Sequence, residues 1–279
     1  MKIGYGNYGM PRTPWFEMIQ QVAAIGYTAI ELCVGANYPT APENLDAAHR
    51  RELRSTLDAL GIALGPLMIS GVNVIEPDLA KHQANLERLR QIVKLGHDLG
   101  LERPVIVNTL GGKIAEWDER RDLLAECVRD WAQVATVEGG NFAFEPHVGG
   151  IVKSPDRALW LIDQLTNTNL KLNFDYSHFE LIDVPLETAL AGLIPYAAGN
   201  HVKDVRGRPP NFQFLLPGEG TLDYADYLSR LGRAGYVGHV TVEISGQVFN
   251  APGYDPVAAA RFSYATLDRA FVAADIARR

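Results

Sequence analysis

Two periods alternate along this chain. Short runs in which every second residue is apolar have the pattern of strands. The longer stretches between them place apolar residues every three or four positions, as a helix with one buried face does. Residues 2–5 form the first short run, followed by the loop Gly6-Asn7-Tyr8-Gly9. Pro14 opens a helix over Trp15–Ile25 with Phe16, Ile19, Val22 and Ala23 on one face, and Gly26 ends it. The second strand is Thr28–Val34, and the next helix runs from about Asn44 to Leu60, stopped by Gly61. Ile62–Ile69 is the third strand. A long helix follows Pro77-Asp78, with Leu79, His82, Leu86, Leu89, Val93 and Gly96 on one stripe, Asp78 as its N-cap and Gly100 as its stop.

The same alternation continues to the end of the chain. Pro104–Asn108 is a fourth strand, and a helix over Trp117–Val137 ends at Gly139-Gly140. Asn141–Glu145 is strand five, backed by a helix from Ser154 through Leu165. Leu170, Leu172 and Phe174 alternate into strand six, which closes on Asp175-Tyr176-Ser177-His178, with the histidine expected on a loop. Ala197–Lys203 is strand seven, a helix covers Leu222–Ala234, and His239–Ile244 is strand eight before a final Ala-rich helix over Pro256–Ala274. Strands alternating with helices imply parallel pairing through right-handed crossovers. Eight such units in 279 residues imply a closed (β/α)8 TIM barrel, an α/β fold, spanning residues 1–279 as one domain with no linker-like composition shift.

Composition narrows the classes. A hydrophobic share of 47% with 21% charged residues fits a globular core. Acidic residues outnumber basic ones, 33 to 26, and the resulting charge of −7 argues against a phosphate-binding cationic face, so no nucleic-acid partner is expected. The two cysteines, Cys33 and Cys127, lie in apolar runs and read as reduced core thiols. The start, Met1–Tyr5, runs straight into a strand without a charged-then-apolar leader, and no apolar run is long enough to span a bilayer. The expectation is a cytoplasmic protein with no membrane partner.

Candidate chemistry collects where the strands end. In a barrel the carboxyl ends of the strands form one rim, and pockets lie there. Strand five ends on Glu145, strand six on Asp175, strand seven carries His201 and strand eight carries Glu243. Neighbouring strands are roughly 4.8 Å apart, so four such side chains can converge on one ion. Three carboxylates and an imidazole are hard-to-borderline donors that suit Mn²⁺ first, with Mg²⁺ or Co²⁺ as alternatives. His147 and Lys203 each lie two residues beyond a candidate ligand, on the same side if strand geometry persists, and read as substrate contacts. Asp204 points the other way and reads as structural. Glu31 ends strand two at the same rim; an ion pair with a neighbouring strand is the plainer reading, a pocket role the other. His239 begins strand eight at the opposite rim. His49, His82 and His97 lie on helices, and Glu219 sits in a glycine turn that reaches the mouth only by folding inward.

The segments FEPH, FDYSH, HVKD, PGEGTLDY and GYVGHVTVEIS, with Gly26–Leu32 as a G-Y-x-x-I-E-L signature, resemble the xylose isomerase-like superfamily of sugar phosphate isomerases and epimerases along the whole chain. The resemblance implies Glu145, Asp175, His201 and Glu243 as metal ligands, with Glu145 and Glu243 also the catalytic acid/base pair. It implies His178, and Arg206 or Arg208, as substrate-binding residues. In that family the ketohexose epimerases carry a further glutamate beyond the first ligand, where this chain has His147–Ile151 and no acid. The H-x-K-D form at His201–Asp204 is closer to inosose dehydratases.

The chemistry expected is proton abstraction beside a carbonyl, with the cation stabilising the enediolate. A glutamate on each face gives an epimer, return of the proton to the next carbon an isomer, and loss of a β-hydroxyl a dehydration. The substrate is a small sugar or polyol, and the enzyme can be a homo-oligomer. The leading expectation is an isomerase or epimerase; an inosose-type dehydratase or a lyase cleaving keto-glycosides uses the same site. An endonuclease IV-like repair enzyme shares fold and D-x-x-H motif but needs extra histidines near the ends of strands three and four, where Leu67–Gly71 and Val107–Gly111 have none. A non-catalytic carbohydrate binder is a further alternative.

Overall fold

A computed structural model describes residues 1–278. Its strands, in chain order, are β1 Lys2–Gly6, β2 Ala29–Cys33, β3 Ala63–Met68, β4 Val105–Asn108, β5 Asn141–Phe144, β6 Lys171–Asp175, β7 Ala197–Val202, β8 Asp204–Arg208, β9 Asn211–Leu215 and β10 His239–Val242. Eight of them close a barrel in the order β1-β10-β7-β6-β5-β4-β3-β2. Every neighbouring pair in it is parallel. The (β/α)8 expectation is met. β8 and β9 instead form an antiparallel hairpin outside the barrel, between β7 and the next helix.

The helices are α1 Trp15–Ile25, α2 Ala47–Leu60, α3 Leu79–Asp98, α4 Trp117–Val137, α5 Pro155–Gln164, α6 Tyr176–Glu180, α7 Leu186–Leu193, α8 Tyr224–Arg233, α9 Gly246–Phe249 and α10 Pro256–Ala273. Among the described residues, no helix is long and apolar enough to cross a membrane. Asp78 caps α3 as its position predicts, accepting from the Ala80 and Lys81 amides at 2.9 and 3.1 Å. α2 starts later than the pattern suggests. Residues Pro42–Asn44 close a separate 3₁₀ turn, and Asp46 caps the helix through the Ala48 and His49 amides. Gly61 ends it at φ 65°, a left-handed conformation that glycine adopts without a Cβ penalty.

The main core lies between the barrel and its helices. Leu86, Leu89 and Val93 of α3 and Trp131 of α4 are buried against it, and the Trp131 ring meets Phe142 of β5 at 5.1 Å. Burial of each large side chain contributes roughly 1.5–3 kcal/mol. Inside the barrel the two halves differ. Met68, Val107 and Ala143 make a small apolar cluster on β3, β4 and β5. β6, β7 and β10 instead present Asn173, Asp175, His201 and Thr241, all buried. That polar half is where the sequence places its candidate ligands.

Candidate metal centre at the barrel mouth

Register and period two assemble the site. Asp175 and His201 are direct partners in the β6–β7 ladder, and Thr241 of β10 pairs with His201 on its other side. Glu145 and Glu243 lie one residue past β5 and β10, where their amides still bond to Asn108 and Val202 carbonyls. One ligand atom from each of Glu145, Asp175, His201 and Glu243 lies within 4.8 Å of the others. The structure therefore brings together the four residues picked out along the sequence.

His201 is held at one ring nitrogen. Nε2 is 2.8 Å from Oε1 of Glu31, which reaches across from β2. Nδ1 lies 2.8 Å from Glu145 Oε2 and 3.0 Å from Glu243 Oε2. It has hydrogen-bond geometry to neither, and is a buried nitrogen without a partner. An orphaned imidazole nitrogen ringed by carboxylate oxygens is what a cation-ligating histidine looks like before the ion is added. Charge points the same way. Four carboxylates (Glu31, Glu145, Asp175 and Glu243) face one ammonium and two imidazoles (His178 and His201), an excess of negative charge that burial makes costly unless a cation offsets it. The donor set thus fits a divalent metal.

Lys203 supplies the ammonium. Fully buried, it donates to Asp175 Oδ2 and, at 2.6 Å, to Glu243 Oε2, and lies 3.3 Å from His178 Nε2. Burial opposes its charge, but Asp175, Glu243 and Glu145 outweigh burial and raise its pKa. The carboxylates respond in kind. Burial works against the charge on Glu145, yet His201, His178 and Lys203 hold it well below the ordinary carboxylate range. Glu243, likewise desolvated, is drawn down to about 2, chiefly by Lys203. His201 is raised well above its usual value; burial opposes this, and the Glu31 and Glu145 charges prevail.

Other candidates divide clearly. His178 is not on a loop: it sits in α6, whose N-cap is Asp175 itself, Oδ1 accepting the Ser177 amide at 2.9 Å. Its Nε2 is 3.3 Å from Glu145 Oε1 and 3.8 Å from Asp175 Oδ2. His147 stacks on His178, ring centroids 4.2 Å apart. The Gly149 amide donates to its Nδ1 at 3.0 Å, so the neutral ring carries its proton on Nε2. Burial and the neighbouring His178 push His147 down to about 3, which keeps it neutral.

Arg206 lies apart from the clustered donors. Val205 pairs with Phe214 and Arg206 with Gln213, so by strand alternation Arg206 leaves the face that Phe214 turns toward the site. It is exposed and donates to the Glu219 carbonyl at 3.2 Å. Arg208 pairs with Asp183 instead. Asp204 is buried and accepts from the Gly218 and Gly220 amides, anchoring the hairpin's return turn, and Glu219 folds back onto the Leu216 amide.

Three contributors escape the sequence reading. Asn173 donates to Glu145 Oε2 at 2.6 Å; its place two residues before Asp175 put it on the same face and was the available signal. Phe214 of the unforeseen hairpin covers Lys203 at 5.0 Å and meets His178 edge-on at 5.3 Å. The alternation of Phe212 and Phe214 after Pro209-Pro210 was its only trace. Tyr8, just past β1, lies over Met68, Val107 and Ala143 and against Tyr38, making the wall on the β1–β3 side.

Comparisons with known proteins identify the family of this fold. The family model for the xylose isomerase-like TIM barrel matches residues 19–266. The chain belongs to the xylose isomerase-like TIM barrel family. Among curated relatives of this family, an inosose dehydratase from Geobacillus kaustophilus (strain HTA426) is 23% identical, the match covering 92% of this chain and 85% of the relative. L-ribulose-5-phosphate 3-epimerase UlaE of Shigella flexneri serotype 5b is 20% identical over 92% of this chain and 91% of its own. A D-psicose 3-epimerase from Clostridium cellulolyticum H10, solved with D-tagatose, superposes with a TM-score of 0.78 at 19% identity, covering 98% and 99% of the two chains. These xylose isomerase-like relatives are enzymes, two epimerases and a dehydratase.

Proposed function

We propose that this chain is a divalent-metal-dependent isomerase or epimerase of a small sugar or polyol, working by proton transfer at the carbon beside a carbonyl. One observation carries the reading: Glu145 and Glu243, the outer pair of the four clustered donors, bring carboxylate oxygens to within 2.8 and 3.0 Å of the same His201 nitrogen from opposite flanks. Glu145, Asp175, His201 and Glu243 would hold the cation, with Mn²⁺ the first candidate for this donor set. When bound, the cation supplies Lewis-acid stabilisation of the charge that develops on substrate oxygen during deprotonation.

The chain's own groups do the rest. Glu145 and Glu243, both kept ionised, take the proton from one face of the substrate carbon and return it at the other. Asn173 fixes Glu145 by donating to Oε2. Lys203 and His178 hold substrate oxygens beside the carboxylates, and His147 donates its Nε2 proton as a neutral ring. Phe214 and Tyr8 cover the site from opposite sides and exclude water. A second reading, dehydration, is favoured by Lys203: a buried ammonium against Asp175 and Glu243 can stabilise a departing hydroxyl.

The test is isotope exchange. Protein stripped by exhaustive chelation and reloaded with Mn²⁺, Mg²⁺ or Co²⁺ is incubated in heavy water with ketoses, inososes and keto-glycosides. Metal-dependent deuterium uptake with appearance of the epimer or aldose–ketose isomer is the expected result. Water loss without interconversion supports the second reading. Full turnover by verified metal-free protein overturns both.

A further inference from the structure

Glu31 is a buried carboxylate of the mouth outside the four clustered donors. It stands on β2, and β2 pairs only with β1 and β3, so it is no neighbour of β7 in the sheet. Its carboxylate nonetheless crosses the barrel to His201 Nε2 at 2.8 Å, both residues being 1% exposed. Gly6 of β1 lies beside this path. A Cβ added at Gly6, which adjoins Glu31 in the β1–β2 ladder, would lie 3.9 Å from Glu31 Oε1 and 3.3 Å from the Val242 carbonyl.

We infer that Glu31 is a positioning residue that fixes the tautomer and aim of His201 for metal binding; this rests on the metal-dependent reading above. A carboxylate accepts but cannot donate, so once the ring gives up one proton to receive a cation, the contact with Nε2 keeps the remaining proton on that nitrogen. Nδ1 is left with its lone pair directed at the space between Glu145 and Glu243, where the structure shows it unpartnered. A hydrogen-bonded carboxylate behind a ligating imidazole also raises its basicity and holds the ring plane, a contribution worth 10- to 100-fold in metal affinity. The pattern G-Y-x-x-I-E-L therefore carries a contact to the centre as well as a strand: its glutamate prepares one ligand from the far side of the barrel.

Metal affinity, measured with Mn²⁺ alone, tests this without a substrate. Mn²⁺ is titrated into metal-free wild type, Glu31→Gln and Glu31→Ala by calorimetry, with thermal melts checking the fold. Glu31→Ala should weaken the Mn²⁺ Kd by about 10- to 100-fold. Glu31→Gln, whose amide oxygen still accepts from Nε2, should lose less while matching the wild-type melt. In the ¹⁵N spectrum of metal-free histidine-labelled protein, recorded at alkaline pH where the ring is neutral, the protonated His201 nitrogen should be Nε2 in wild type and in Gln, and divided between both nitrogens in Ala. That signature separates ring aim from general loosening. Wild-type affinity in both folded variants overturns the role of Glu31 alone. A wild type that binds no Mn²⁺ overturns the metal reading as well.

Discussion

The two mouths of the barrel are built from the same strands and have opposite electrostatics. β10 runs through both: His239, Thr241 and then Glu243 alternate along one face of it, so an imidazole stands at the amino end and a carboxylate at the carboxyl end. At the carboxyl end His201 is surrounded by carboxylates and its proton affinity rises. At the amino end His239 lines a cavity of about 240 Å³ with Leu64, Pro66, Gly199 and Arg103. There burial, then Lys2 and the terminal amine, push it down to about 4. The same residue type is thus prepared for a cation in one place and kept uncharged in the other. The difference lies in what surrounds each ring: Glu145, Glu31 and Glu243, from β5, β2 and β10, around His201, and cations beside His239.

The largest expected contrast is in stability. Lys203→Met strands Asp175 and Glu243 as buried charges, and urea unfolding of chelated protein should show a loss of about 3 kcal/mol, partly recovered by Mn²⁺. Arg103→Met, at the exposed amino-end mouth, should stay within about 0.5 kcal/mol of wild type. Equal costs at the two mouths would erase the distinction.

Next in size is the effect on chemistry. Glu145→Gln and Glu243→Gln keep an oxygen for the cation but lose the base. Deuterium exchange on a responsive substrate should fall by at least about 10²-fold with Mn²⁺ stoichiometry unchanged. His239→Gln, on the same face of β10 as Glu243, should leave exchange at the wild-type rate. Near-native exchange in both glutamine variants would falsify the two-carboxylate mechanism.

The smallest effect is a pH dependence. His239 in the folded chain titrates near 4, below the ordinary value of about 6.5, so the unfolded chain takes up the proton first as pH falls. Its contribution is therefore fully present above about 6.5 and lost progressively down to about 4. Allowing for its partial exposure, the loss is about 1–2 kcal/mol. Between about pH 6.5 and about 4 the unfolding free energy of wild type should fall by that amount relative to His239→Gln; parallel curves would show that His239 is not held neutral by the fold.

Much of this was legible because parallel barrels repeat a simple code. Alternation gave the eight barrel strands, and the residue at the carboxyl end of each gave Glu145, Asp175, His201 and Glu243. What failed to show were features without a period. β8 and β9 are short and separated by two prolines, so Phe214 carried no strand signature. α6 is a single turn formed because Asp175 caps it, a local hydrogen bond that composition does not announce. α7 is only eight residues long and follows Pro185, too brief for a clear stripe. Glu31 and Arg206 show the other gap: contact across a barrel interior, and the face of a hairpin, are set by three-dimensional closure.

Asp175 uses its two oxygens in two different systems, Oδ1 on the Ser177 amide and Oδ2 toward Lys203. A five-residue helix has little intrinsic stability, so α6 depends on that cap and on packing to hold His178 in place. On the proposed metal-dependent reading, ion loading and the order of α6 are coupled through Asp175. Amide hydrogen exchange at Ser177 and His178 would act as a gauge of loading. For the lineage, it means that Asp175 cannot drift to adjust one task without disturbing the other. The hairpin bearing Phe214 and the loop bearing Tyr8 touch the mouth without carrying any of its four clustered donors.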